Sequence, residues 1–219
     1  MYYTEAKNLA KKGLSIFPCH SMVDGNCTCY KKENCDKNNK GKHPATVNGF
    51  KEATTDETKI QDWFDTDIPR NIGIATGIVS GIWVLDLDEI GALDELEKQH
   101  GKLPRTPTAK TGRANGGQHF YFQYPDGIEI GSRIKNIPGI DVKGNGGYVV
   151  APPSIHHTGK IYEWIISPDD CEFALAPQWL IDLVQSKDVV THPTTIPPIR
   201  KSPKQEPKEE LHKPKLKTR

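Results

Sequence analysis

Three stretches of this sequence place reactive side chains where an apolar strand would otherwise continue. In WVLDLDEI, Asp86 and Asp88 interrupt an apolar run, and the two-residue period of a strand turns both carboxylates to one face. Neighbouring carboxylates repel unless a multivalent cation neutralises them, and hard ions such as Mg²⁺ take oxygen ligands in this arrangement. A strand that simply ends in water, with both Asp side chains wet, is the plain alternative, because so short a pattern recurs by chance. In TAKTGRANGGQHFYF, His119 follows a Gly-rich basic loop holding Lys110, Arg113, Gly116 and Gly117. Backbone amides and cations approach phosphate in segments of that composition, although a turn with an incidental His would look similar. In IPGIDVKGNGGYVVAPPS, Asp141 closes another apolar strand, with Lys143 two residues on and on the same face. A turn-forming Asp and a solvated amine are the bland reading of that pair.

A fourth cluster has a different chemistry. Cys27 and Cys29 are followed after five residues by Cys35 and after seven more by His43, which gives four soft or borderline ligands within 17 residues. That set is enough for a closed tetrahedral Zn²⁺ site with no open position, so the ion would be structural. Unligated thiols are the alternative. Cys19 and His20 are spare ligands ranked lower, since Cys19 follows a strand and suits core packing, and Cys171 reads as a small buried hydrophobe.

The elements needed to position these groups can be read from periodicity. Tyr2, Ala6, Leu9, Ala10 and Leu14 predict a helix over residues 2–14 that stops near Gly13, followed by a strand over 14–18. Residues 19–49, rich in Cys, Asn, Lys and Gly, lack apolar periodicity and need another source of order, for which metal is the candidate. TTDETKIQDWF predicts a capped helix up to Phe64. NIGIATG and GIWVLDLD predict two strands joined as a hairpin. A helix is expected over 91–100, strands over 118–123, 139–142, 147–151 and 161–166, and a last helix over 177–184 with Pro at its start. Helices and strands mix irregularly, which favours an α+β fold with a mostly antiparallel sheet over a doubly wound parallel one.

Composition narrows the function classes. Of 219 residues, 35% are apolar, so part of the chain must be solvated. No apolar run approaches the ~18 residues of a membrane span, and the start lacks a signal peptide's apolar stretch, so the chain reads as soluble, intracellular and cytoplasmic. From Ser186 onward there are nine Lys/Arg against four Asp/Glu, and before it 20 against 24. A weakly acidic body argues against nucleic-acid binding by bulk charge and for a local groove or a metal-bridged contact. Residues 1–185 therefore read as one domain with an insertion over 19–44, and residues 186–219, basic and holding six prolines, as a disordered linker or tail.

The ordered set NIGIATG, LDLD, TGRANGGQHFYF, GIDVKGNGGY and APPSIHHTGKIYEW resembles the bifunctional primase-polymerase domain of the archaeo-eukaryotic primase superfamily, from the first helix to about residue 166. Each piece is weak alone, whereas their order is specific. The resemblance implies a catalytic part like an RNA-recognition-motif fold with a small zinc-stabilised insertion, and the GKHP at Gly41 to Pro44 is similar to the end of the Cys-rich insertion in such domains. It further implies that Asp86, Asp88 and Asp141 hold two Mg²⁺ or Mn²⁺ ions and that His119 contacts the triphosphate. Lys143 stands where related sequences often carry Arg, and Lys is a point charge where Arg is a bidentate fork. Arg113 is a further phosphate candidate, and Ser154, His156 and His157 are weaker candidates for contacts to nucleotide or template.

The implied reaction is template-directed transfer of nucleotides to a 3′-hydroxyl on single-stranded DNA, with plasmid, phage and defence-associated contexts equally compatible and a helicase as a possible domain or partner after the linker. A metal-dependent nuclease or phosphodiesterase would use similar carboxylates to activate water, but a triphosphate-gripping His has little purpose there. A noncatalytic, zinc-stabilised nucleic-acid-binding module is the third reading, and the acidic body speaks against it.

Overall fold

The computed structural model describes residues 2–88, 90–132 and 139–185. The predicted tail, 186–219, lies outside the described residues. The expected α+β architecture with antiparallel sheets is present, arranged among the described residues as a five-stranded sheet, a three-stranded sheet, a small two-stranded hairpin and four short α-helices.

Helix α1 (Tyr2–Lys11) buries Ala6, Leu9 and Ala10 on one face. It leads into β1 (Ile16–His20), which starts later than expected because Ser15 is held aside, its N–H bonded to Ser80 Oγ at 2.9 Å and its hydroxyl to the Val79 carbonyl at 2.9 Å. The Cys-rich insertion follows, beginning with a small hairpin of β2 (Met22–Val23) and β3 (Asn26–Cys27). Helix α2 (Glu57–Phe64) begins on the expected cap, the Asp56 carboxylate accepting from the Lys59 N–H at 3.1 Å.

Strands β4 (Arg70–Ala75) and β5 (Ile82–Leu87) do not form the expected hairpin. One bridge, Gly77 to Ile82, starts the pairing, and the chain then passes from one sheet to the other. The physical reason is that both edges of each strand are taken. Strand β4 lies between β1 and β9 (Tyr148–Ala151), all antiparallel, in a three-stranded sheet. Strand β5 lies between β7 (Gln118–Gln123) and β8 (Ile140–Lys143) in a five-stranded sheet that continues through β6 (Thr108–Lys110) to β10 (Glu163–Ile166). Helices α3 (Asp94–His100) and α4 (Gln178–Gln185) complete the order.

Every residue of β5 is buried, so the five-stranded sheet is covered on both faces, as its unbroken apolar run IWVL requires. Ile82 and Val84, with Ala109 and Tyr121, join a core shared with α1, α2 and the Ile72, Ile74 and Val149 face of the smaller sheet. Trp83, Leu85 and Leu87, with Phe122, Ile140 and Val142, pack the other way against Leu93 and Leu96 beside α3 and Leu180 and Ile181 of α4. Asp86 occupies the first of these faces, where the alternation of Ile82 and Val84 calls for a third apolar residue.

Candidate active site

Cross-strand register assembles the site. Asp86 pairs with His119 of β7 on one side and with Asp141 of the edge strand β8 on the other, so one row across three adjacent strands carries His119, Asp86 and Asp141. Side chains directly opposite one another share a face, with Cβ atoms about 5 Å apart, although among the described residues the acidic groups are not drawn into a ready ligand cluster as the cysteines and His43 are. Lys143, two residues beyond Asp141, pairs with Val84 and lies on that same face.

Asp88 lies just past the end of β5. Its N–H donates to the Gly139 carbonyl at 2.8 Å and its carboxylate meets Arg113 Nη2 at 2.7 Å. Asp141 accepts from the Val142 N–H at 2.8 Å and is ion-paired with Lys143. Asp86 faces His119 Nε2 at 3.4 Å. Each carboxylate thus has a basic neighbour, which lowers the repulsion among them. The Asp86 carboxyl is pulled two ways: burial raises its pKa, but His119 beside it, with Lys143 and Arg113 further out, outweighs burial and holds it at about 2.

One Asp86 oxygen and His119 Nδ1 remain buried without a hydrogen-bond partner among the described residues. Such orphans are costly unless a ligand engages them. A carboxylate pair in register, an unsatisfied carboxylate oxygen and all-oxygen donors fit a hard divalent ion, and Asp86, Asp141 and Asp88 are the residues that would hold it.

The row opens onto a cavity of about 350 Å³ whose lining includes Asp86, His119, Arg113, Lys143, Thr111, Ser132, Gly147 and Tyr162. Asp88 and Asp141 are not part of the lining, although their partners Arg113 and Lys143 are. The TGRANGG loop that carries Arg113 is closed by the Thr111 N–H donating to the Gly117 carbonyl at 2.8 Å. It is also pinned from outside. A Cβ on Gly112 would lie 2.1 Å from Cβ of His156, and the Thr158 hydroxyl donates to the Gly112 carbonyl at 2.7 Å while meeting His156 Nδ1 at 3.0 Å. His156 is therefore a buried prop under the Arg113 loop, and burial, with the charges of Lys42, His157 and Arg113, drives its pKa down to about 3.

Ser154 also lies away from the cavity: it is fully buried and its hydroxyl accepts from the Ile72 N–H at 2.8 Å, tying a loop to β4. His157 is half-buried, with its ring 4.1 Å from that of His156. Lys110 is exposed on β6.

Sequence reasoning missed Thr111, Ser132, Tyr162 and above all Lys42 as parts of the cavity wall. Thr111 opens the loop already singled out for Arg113, and Lys42 sits inside the GKHP that was read only for its His. Nothing in the spacing of Ser132 or Tyr162 marks them.

The four predicted soft ligands come together. Donor atoms of Cys27, Cys29, Cys35 and His43 all lie within 4.8 Å of one another, with His43 Nε2 at 3.4 Å from Cys27 Sγ and 3.5 Å from Cys35 Sγ. Tetrahedral Zn–S bonds of ~2.3 Å place donors ~3.8 Å apart, so the group fits Zn²⁺ with little movement. Electrostatics agree. Burial, then hydrogen bonding to Cys29 and Cys27, pushes the Cys35 thiol up to about 12. Burial also opposes ionisation of Cys29, but the Lys31 amide and the neighbouring thiols outweigh it and lower that pKa. Three thiolates so close together repel, and a cation is what allows them to be ionised side by side. Cys19 is buried beside Phe17 and outside this group, its thiol pushed far up by burial, as packing and not ligation demands.

The molecule is an α+β domain of antiparallel sheets that lines one cavity with the Asp86 carboxylate, a histidine and three cations, and folds a Cys₃His group beside it. The sequence matches the family model of the bifunctional DNA primase/polymerase N-terminal domain over residues 6–179, and the chain belongs to that family. This is an enzyme family of the DNA primase and polymerase type. A comparison with curated proteins finds no match. Among the described residues no helix is long and apolar enough to cross a membrane.

Proposed function

We propose that this domain joins nucleoside triphosphates to a 3′-hydroxyl on a single-stranded DNA template, as a primase, a polymerase or both, inside the cell. The observation that carries the reading is the His119–Asp86–Asp141 row, opening on a cavity walled by Arg113 and Lys143. Mg²⁺ or Mn²⁺ held by Asp86, Asp88 and Asp141 would supply the charge that favours deprotonation of the hydroxyl and stabilises the departing pyrophosphate.

The protein's own groups do the positioning. Asp86, ionised down to a pH of about 2, presents a fixed negative charge at the centre of the row. His119, buried against Tyr121 and Tyr162, has no freedom to swing and offers one ring nitrogen to a phosphate oxygen. Arg113 and Lys143, resting on Asp88 and Asp141, stand ready to exchange carboxylate for phosphate oxygens when a triphosphate enters. Hydrogen bonds between such charged partners carry most of the binding. In the bond exchange the 3′-oxygen gains the α-phosphorus, the α–β bridge breaks, and pyrophosphate leaves.

The test is incubation of the full chain with a primed single-stranded template, each nucleotide type and Mg²⁺ or Mn²⁺. The polymerase reading expects the labelled strand to lengthen and the Asp88→Ala protein, still folded, not to lengthen it. A shortened strand would establish the nuclease reading in its place, and metal-independent binding with no chemistry would establish the noncatalytic one.

A further inference from the structure

We propose, resting on the polymerase reading above, that Lys42 of the Cys-rich insertion is a nucleotide phosphate-binding cation of the catalytic cavity, held there by the metal knot. The insertion thus builds part of the active site as well as stabilising the fold.

Lys42 lines the same cavity as Asp86, His119, Arg113 and Lys143, and it arrives there from a segment remote from all of them in sequence. Its two fellow cations are each engaged by a carboxylate, Arg113 by Asp88 and Lys143 by Asp141. Lys42 forms no ion pair among the described residues, so its ammonium is the cation of this wall that no carboxylate holds in direct contact, although Asp86 and Asp88 act on it from further off. An ammonium facing a cavity without a counter-ion attracts a polyanion and needs no fixed approach direction to hold a phosphate oxygen.

The backbone on both sides of Lys42 is fixed. Its own N–H donates to the Asn39 carbonyl at 3.0 Å, and the next residue, His43, is one of the four soft ligands and accepts the His20 N–H at 2.9 Å. On the other side the Gly41 carbonyl accepts from Asn71 Nδ2 at 2.7 Å. Asn71 is fully buried in β4, and the rest of its amide is consumed by Ile155 and Ser21. Gly41 has φ +71, and a Cβ there would meet the Ile155 carbonyl and Met22 Cγ at 3.2 Å, so the chain passes through a gap that only glycine fills without strain. Asn71 anchors the segment to the catalytic sheets and His43 anchors it to the knot, with Lys42 between them.

The full chain is tested with a non-hydrolysable deoxynucleoside triphosphate analogue and Mg²⁺ by calorimetry, with bound zinc and primer extension measured in parallel. For Lys42→Ala the expected result is a dissociation constant raised about ten- to hundredfold, KM raised more than kcat is lowered, zinc content unchanged, and recovery of most affinity by Lys42→Arg. Cys35→Ser is expected to lose zinc and weaken the analogue by a similar factor, and adding Lys42→Ala to it to weaken binding little further. Wild-type affinity in a zinc-replete Lys42→Ala protein, or losses that multiply in the double variant, would overturn the proposal. Should Cys35→Ser not fold, the Lys42 pair decides alone. The two readings separate cleanly: Asp141→Asn losing extension while Lys42→Ala binds normally retires only the lysine, whereas a wild-type chain that neither binds the analogue nor extends a primer retires the polymerase.

Discussion

The His119–Asp86–Asp141 row and the Cys-rich insertion meet at one cavity but are positioned by different physics. The row belongs to a strand buried on both faces and paired on both edges, so the placement of Asp86, His119 and Asp141 follows from hydrogen-bond register and core packing. The insertion has a two-residue hairpin, short turns and a core of little beyond Met22, Ile155 and the cysteines, so its shape follows from what its side chains hold. Chemistry in the first region is separable from folding. In the second, binding a metal and folding would be the same event.

The strongest way to break that contrast is to remove charge from the row without removing volume. Asp141→Asn should lower primer extension by about 10²- to 10³-fold, the scale set by loss of a single preorganised electrostatic group, with a melting temperature close to that of the parent. Asp141 is half-exposed, and Asn keeps the oxygen that the Val142 amide needs. A large drop in melting temperature accompanying the lost activity would show that the row is also a structural support, and the separation would fail.

The corresponding change in the insertion is Cys29→Ser, or removal of metal by a chelator. Either should abolish stoichiometric zinc and expose the segment 24–43 to proteases, while the core of Trp83, Leu85 and Phe122 retains its near-ultraviolet signal. A protein purified without chelator and holding no zinc would remove the metal knot from the account. Loss of the whole cooperative transition would mean that the two regions fold as one.

These regions also differ in how much of them the sequence revealed. The apolar run of β5 and its interruption at Asp86 are local signals, and so are the cysteine spacing and the capped start of α2 at Asp56. Pairing is not local. The assignment of NIGIATG and GIWVLDLD to different sheets depends on β1, β9, β7 and β8 occupying their edges, and no spacing between the two strands records it. Strand β6 was hidden because TPTAKTG carries Pro107, Gly112 and three threonines, the composition of a loop, yet its three residues pair on both sides. Lys42 was hidden by its neighbour: a lysine beside a metal-binding histidine carries no mark of the cavity it faces. Ser154 and His156 were legible as polar residues in a motif, but burial, which assigns them to bracing β4 and the Gly112 loop, cannot be read from their type.

Acid should separate the regions next. The carboxyl of Asp86 sits at about 2 in the folded protein against an ordinary value of ~3.9, so its contribution to stability is fully present above that ordinary value and fades only as pH falls through the window between the two. Metal at the knot competes with protons for three thiols and the His43 imidazole, whose pKa burial already lowers. Metal should therefore be released at a pH well above the Asp86 window. Lowering pH from 7 to 4 is expected to release zinc, followed with a chromogenic indicator, while far-ultraviolet circular dichroism of the sheets changes little. Simultaneous loss of both signals above pH 4 would contradict it.

The finest comparison pits the buried hydroxyl of one region against a half-buried hydroxyl of the other. Tyr121 lies two residues along from His119 on the face that packs between the sheets, and its phenol is fully buried with no hydrogen-bond partner among the described residues. Packing places that ring, and the hydroxyl only costs desolvation, so Tyr121→Phe should be neutral or stabilising by about 1 kcal/mol. Thr28 in the insertion is the reverse case: its hydroxyl accepts the Ser21 N–H at 3.0 Å and meets His20 Nδ1 at 3.1 Å, in a segment with few other restraints. Thr28→Val keeps the shape and strands both partners, so it should cost about 1–2 kcal/mol, read as faster amide exchange confined to the insertion. Should Tyr121→Phe prove the more damaging of the two, the phenol engages a group that packing alone does not require, and the row would depend on polar contacts as closely as the knot does.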